Sequence, residues 1–192
     1  MKKIALILTG LLAAAFLLTA CTIAPAQTEA TTAPEAAATE AATEPEATET
    51  TSDTLEFSLT TLTGGTLDQT VFSDNKLIMV NYWATWCGPC VGEIPDLVKI
   101  SNDYADKGFV IVGVLTGDDD IDGAKQFIAD QNVGYPVVMP EAFFLDQADG
   151  IQAIPTTMFF DSTGKQIGDT VVGSRGYDDW AGLIDLLLTQ VS

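Results

Sequence analysis

Seven uncharged residues, Leu77-Ile78-Met79-Val80-Asn81-Tyr82-Trp83, stand just ahead of the tetrad Cys87-Gly88-Pro89-Cys90. An apolar run of this kind, without strict alternation, predicts a strand buried on both faces, so the chain must supply a layer of structure on either side of it. After the tetrad the spacing predicts a helix over residues 88–107, with Val91, Ile94, Leu97, Val98 and Tyr104 on its buried side and Pro95 as a kink. A strand that delivers two cysteines to the first turn of a helix has redox chemistry built in. Unpaired N–H groups and the positive end of the helix dipole favour a thiolate there. Cys87 is expected to be the exposed, attacking sulfur. Cys90 lies one turn further in, close enough to close a short disulfide. Pro89 suits a first-turn position, where its missing N–H costs nothing.

Two cysteines at this spacing have other uses. Zinc usually takes four Cys or His ligands, and this chain has no histidine and only one further cysteine, Cys21. A purely structural disulfide across so short a loop constrains little chain entropy. Copper(I) held by the two thiolates, with Met139 or Met158 as a further soft ligand, stays as an alternative from outside enzymology.

The charge of −19, from 27 acidic and 8 basic residues, excludes nucleic acid as a natural partner. It also draws attention to how unevenly the chain is built. Residues 1–20 begin with Lys2 and Lys3 and continue as an apolar stretch, which reads as an export signal. The segment ends Leu18-Thr19-Ala20-Cys21, which resembles the lipobox of bacterial lipoproteins. That resemblance implies cleavage before Cys21, a lipid on its sulfur and attachment to the membrane. Residues 21–53 are rich in Thr, Ala, Pro and Glu and contain no basic residue. Such a segment is expected to be a disordered tether, reaching on the order of 100 Å when fully stretched. The folded domain is then residues 54–192, an ordinary size for one core.

Within it, residues 56–62 read as a strand and Gly64-Gly65 as a turn. Residues 109–115 read as another buried strand. Asp118-Asp119-Asp120 is expected to cap a helix over residues 121–131, in preference to binding a metal. A short helix over residues 141–147 follows. Strands over 156–161 and 166–172 are joined by a Ser162-Thr163-Gly164-Lys165 hairpin turn. Last comes an amphipathic helix over about 177–189, in which Trp180 reads as core. The fold class is α/β, a mixed central sheet flanked by helices.

The segment from Trp83 to Pro95 resembles the active site of the thioredoxin superfamily. It is most similar to the extracytoplasmic, membrane-tethered TlpA-like or ResA-like branch of thiol–disulfide oxidoreductases. Trp86-Cys87-Gly88-Pro89-Cys90 matches the redox motif, Pro95 the helix kink, Ile154-Pro155-Thr156-Thr157 the cis-proline loop and Gly164 the following hairpin. The resemblance covers about residues 54–192. It implies a thioredoxin fold with an N-terminal β-hairpin and a central insertion. It also implies a redox-active Cys87–Cys90 disulfide and a substrate-binding surface of Trp86, Gly88, Pro89, Ile154 and Pro155. The Ile154 backbone would pair with the substrate peptide as an added strand.

Asn81 stands where cytosolic thioredoxins carry a buried aspartate, and Glu93, three residues after Cys90, matches the active-site glutamate of the ResA-like branch. One helical turn brings Glu93 near the cysteine pair, where a raised pKa suits proton exchange with Cys90. The resemblance further implies a monomer outside the cytoplasmic membrane, without metal or organic cofactor. It would act on disulfides of exported proteins, for example in cytochrome c maturation, and draw electrons from a membrane thiol–disulfide transporter. Gly88-Pro89 favours a reductant, with oxidant and isomerase roles open. A peroxidase-like antioxidant function is disfavoured because Ala84, rather than a threonine, precedes Cys87 by three residues.

Overall fold

The computed structural model describes residues 55–191. The expected export signal, the expected lipid site Cys21 and the expected tether lie outside the described residues. Strand β3 (Leu77–Trp83) is buried along its whole length, as a strand without alternation should be. It lies at the centre of a five-stranded sheet of order β5-β4-β3-β6-β7, formed with β4 (Phe109–Leu115), β5 (Val137–Val138), β6 (Thr156–Asp161) and β7 (Gln166–Val172). β3, β4 and β5 run parallel; β6 and β7 are antiparallel additions on the other side of β3. This is the mixed sheet of a thioredoxin-like fold.

The period of two along β3 divides the interior. Leu77, Met79 and Trp83 pack with α2 (Gly88–Tyr104), α3 (Ile121–Asp130) and α5 (Tyr177–Leu188). Ile78, Val80 and Tyr82 pack on the opposite face with a hairpin of β1 (Ser58–Thr60) and β2 (Thr66–Asp68), with α1 (Thr70–Ser73) and with α4 (Phe143–Ala148). Edge-to-face contacts among Phe57, Phe72, Phe143, Phe144 and Phe160 fill that second core. Each such ring, fully buried, stabilises the fold by roughly 1.5–3 kcal/mol. Asn81 is an odd-numbered position of β3, so it belongs to the face covered by α2.

The expected strands over 109–115, 156–161 and 166–172 hold to the residue, and the helices expected over 121–131, 141–147 and about 177–189 hold to within two residues at their ends. Three expectations are corrected. The strand expected over 56–62 pairs only at Ser58–Thr60, because the Thr61 amide already donates to Gly65 O in the turn. The helix expected to reach Lys107 ends at Tyr104 and tightens into a 3-10 turn, Ala105–Lys107, stopped by Gly108 at φ 75°. Finally, Asp120 alone of the three aspartates caps α3, its Oδ1 accepting from Gly123 N at 2.9 Å. Asp118 has a different task, described below. Two elements had no sequence expectation: α1, a single turn, and β5, two residues long.

Candidate active site

The parallel strands β3 and β4 end side by side, Trp83 opposite Leu115, and the loops that leave their carboxyl ends build the site. Cys87 is the N-cap of α2 and Pro89 lies in its first turn. Cys87 and Cys90 are joined by a disulfide, S–S 2.04 Å, with their Cα atoms 5.2 Å apart. The Cys90 amide donates to Cys87 Sγ at 3.3 Å, an orphan helix-start N–H aimed at the sulfur. Only 6% of Cys87 is exposed, so the expected exposed cysteine is largely shielded in the oxidised protein; Cys90 is at 0%. Cys87 is nevertheless the sulfur that opens to solvent. It lines a groove of about 690 Å³ together with Trp86, Gly88, Pro89, Thr116 and Ile154.

The Ile154–Pro155 peptide is cis, and Ile154 O lies 3.6 Å from Cys87 Sγ. Trp86, Cys87, Gly88, Pro89 and Ile154 thus line one groove. Pro155 is the exception. It is buried and does not line the groove, which Ile151, Gln152 and Ala153 line instead, residues that the sequence did not single out. Trp86 stands 64% exposed at the groove, its indole N–H donating to Gly117 O at 2.7 Å. Asp118 Oδ2 accepts from both Thr85 N (2.8 Å) and Thr85 Oγ1 (2.6 Å). The two residues before Cys87 are therefore fastened to the β4–α3 loop. Burial alone would raise the Asp118 carboxyl. The Thr85 hydroxyl and amide and the Asp120 amide outweigh burial and hold it below the usual aspartate value.

Glu93 is 2% exposed, inside the protein rather than on its surface. Its Oε1 accepts from Asn81 Nδ2 at 3.0 Å and its Oε2 from Arg175 N at 3.1 Å. Asn81 Nδ2 also donates to Thr157 Oγ1 at 3.0 Å, tying the carboxylate to the strand that follows the cis-proline loop. Burial raises the Glu93 pKa above the usual glutamate value; the Arg175 amide, the Asn81 amide, the Trp180 indole N–H and the Arg175 charge pull the other way without overcoming it. Residues 90, 93/94, 97, 100 and 104 form the buried stripe of α2, so helical periodicity alone places Glu93 inward, on the side of Cys90. Asp118 and Arg175 carried no such signal. Their partners lie 33 and 82 residues away in sequence.

A fold of this topology with a dithiol pair at the start of its first long helix defines a thioredoxin-superfamily protein. The chain belongs to the Redoxin family, whose pattern matches residues 29–179. Over 111 residues it is 29% identical to thiol-disulfide oxidoreductase ResA of Bacillus thuringiensis subsp. konkukian, a match covering 58% of this chain and 63% of that protein. The match therefore spans less than two thirds of that relative. The thioredoxin-like protein YneN of Bacillus subtilis is 30% identical over 135 residues, covering 68% of this chain and 76% of its own length. Among solved structures, a thiol:disulfide interchange protein of the thioredoxin family from Chlorobium tepidum TLS superposes with a TM-score of 0.62 at 30% identity, over 69% of this chain and 93% of that one. The TlpA-like or ResA-like resemblance read from the sequence thus holds.

Proposed function

We propose that the protein is an extracytoplasmic thiol–disulfide oxidoreductase that reduces disulfides of exported proteins through Cys87 and Cys90. The observation that carries this reading is the placement of the Cys87–Cys90 disulfide at the start of α2, with Cys87 alone of the two lining the groove. In the reduced protein the Cys87 thiolate attacks one sulfur of a substrate disulfide and expels the other as a thiolate. Cys90 then attacks Cys87 Sγ, releases the second substrate sulfur and closes the Cys87–Cys90 bond. The substrate leaves with two thiols and the enzyme as the disulfide. The Cys90 amide stabilises negative charge on Cys87 when it attacks and when it leaves. Cys90, fully enclosed, needs a neighbour to take its proton, and Glu93 is the carboxylate on the same buried stripe with a raised pKa. Trp86 and the Ile154 backbone supply the peptide-facing surface.

A lipid on Cys21 and a tether over 21–53 would hold the domain outside the cytoplasmic membrane, and a membrane thiol–disulfide transporter would reduce it again. No helix among the described residues is long and apolar enough to cross a membrane. The copper(I) carrier finds less support: Met158 lines a different hollow from Cys87, and Met139 packs against the core. The decisive experiment uses Cys90→Ser, which removes the resolving sulfur. Substrates should accumulate as mixed disulfides on Cys87, and exported cysteine-containing proteins should be recovered. Recovery of no disulfide-linked partner from Cys90→Ser, with Cys87 free and reactive, would sink this reading.

A further inference from the structure

Glu93 has a neighbour that its hydrogen bonds do not explain. Trp180, on the first turn of α5, is fully enclosed at 0% exposure. Its Nε1 is one of two buried side-chain nitrogens among the described residues with no hydrogen-bond partner; the other is Trp83 Nε1, packed over Gly113. A buried N–H without an acceptor costs about 1–3 kcal/mol, so a tryptophan used only for packing is a poor choice where phenylalanine would fill most of the space. The Trp180 indole N–H is turned toward the Glu93 carboxylate and helps to hold its pKa down, yet it lies outside hydrogen-bond geometry, so the contact is long or bent. Arg175 bridges the two. Its amide donates to Glu93 Oε2, and its guanidinium sits over the Trp180 ring, 5.9 Å from the centroid. The carboxylate has about four acceptor sites and uses two of them on Asn81 and Arg175, so a third donor can be received.

We propose that Trp180 is a positioning residue for Glu93: its indole N–H is a reserve donor that closes onto the carboxylate when Glu93 is ionised and disengages when Glu93 is protonated. This rests on the reading of Glu93 as the proton acceptor for Cys90. When Cys90 gives up its proton, the carboxylate becomes a carboxyl group and its need for donors falls by one. When Glu93 loses that proton again, the indole restores the third hydrogen bond. No co-reactant is required, since one proton moves from sulfur to oxygen and later to solvent. The ionised state, reached before each turnover, is thus kept within reach despite burial. The charged and titratable groups facing Glu93 are the Arg175 guanidinium ahead of α5 and the Tyr135 hydroxyl ahead of β5; Asn81, from β3, bears no charge, and Cys90 on α2, held in the disulfide, has no proton to exchange in the oxidised protein.

The test follows two signals against pH in the full-length oxidised protein: the Glu93 side-chain carboxyl and the Trp180 indole N–H, both by NMR. In the wild type the indole resonance should move with the same midpoint as the carboxyl, and in Glu93→Gln it should lose that response. In Trp180→Phe the Glu93 midpoint should rise by about one pH unit, a tenfold change in its ionisation constant, as loss of a charge-assisted hydrogen bond requires. The pH profile of disulfide exchange in the reduced protein should move with it. An indole response that survives in Glu93→Gln, or a Glu93 midpoint unmoved in Trp180→Phe, overturns the proposal. If Trp180→Phe does not fold, the comparison of wild type with Glu93→Gln decides alone. A Glu93 midpoint that moves while the exchange profile stays put supports the Trp180–Glu93 coupling and instead removes Glu93 from the proton transfer.

Discussion

Asp118→Ala removes the acceptor that fastens Thr85 beside Cys87. Two donors, the Thr85 amide and hydroxyl, share one carboxylate oxygen at 2.8 and 2.6 Å. Hydrogen bonds to a charged group contribute about 1.5–3 kcal/mol each, and two on the same oxygen are not additive. A loss of about 2–3 kcal/mol is expected at pH 7. Asp118→Asn keeps a neutral acceptor and should lose about 1–2 kcal/mol. The pH dependence has a definite sign. The Asp118 pKa is lower folded than unfolded, so its stabilisation is present above the unfolded aspartate value of about 3.9 and is lost as pH falls through the folded value. The stability gap between wild type and Asp118→Asn should therefore narrow between pH 7 and pH 3. Urea denaturation of the oxidised proteins at both pH values measures it, with an unchanged slope marking the same two-state transition. Disulfide exchange should slow by about tenfold as the Thr85-Trp86 segment loosens and Cys87 loses its orientation. An Asp118→Ala protein within 0.5 kcal/mol of wild type at pH 7, or a gap for Asp118→Asn as wide at pH 3 as at pH 7, would refute this account of the clamp.

Glu93→Gln should slow resolution by Cys90 by roughly 10- to 100-fold near neutral pH, read by stopped-flow exchange with a model disulfide between pH 5 and 9; superimposable rate–pH curves would leave Glu93 without a chemical role. Its fold should survive, because an amide flip of Asn81 with reversal of the Thr157 hydroxyl lets a glutamine carbonyl accept from Arg175 N while its NH₂ donates to Asn81. Alkylation of the reduced protein should modify Cys87 before Cys90, since only Cys87 lines the groove; mass mapping that finds Cys90 first reverses their roles. Cys21→Ser should release the protein from membranes or stall its processing, and full membrane retention of a correctly cleaved variant contradicts the lipid anchor.

The sequence disclosed the fold best where a single period dominates. β3 is apolar without alternation and α2 carries its buried stripe at helical spacing, so the central layer and the helix bearing the cysteines were both legible. The site was legible as far as its chemistry is local. Cys87, Cys90 and Glu93 lie on consecutive turns of one helix. The clamp from Asp118 was not, because three aspartates before a helix all look like caps until the parallel pairing of β3 with β4 brings one of them beside Thr85. Nor was the placement of Trp180. A tryptophan on an amphipathic helix reads as core, and only the structure shows its buried N–H turned toward a carboxylate, outside hydrogen-bond geometry. The hairpin was overextended for a similar reason: Thr61 and Leu62 have strand-like character, yet their amides are taken by Gly65 and by Val137 across the fold.

The central claim, that Cys87 and Cys90 act together as a two-electron thiol couple, is tested most directly by mixing the reduced full-length protein with a peptide disulfide. Thiols released on the peptide and the Cys87–Cys90 bond formed are then counted. The account predicts two peptide thiols and one intramolecular disulfide per protein molecule. Cys90→Ser should stop at one peptide thiol and a stable mixed disulfide on Cys87. A reduced protein that leaves the peptide disulfide intact, or that forms its mixed disulfide on Cys90, would contradict it.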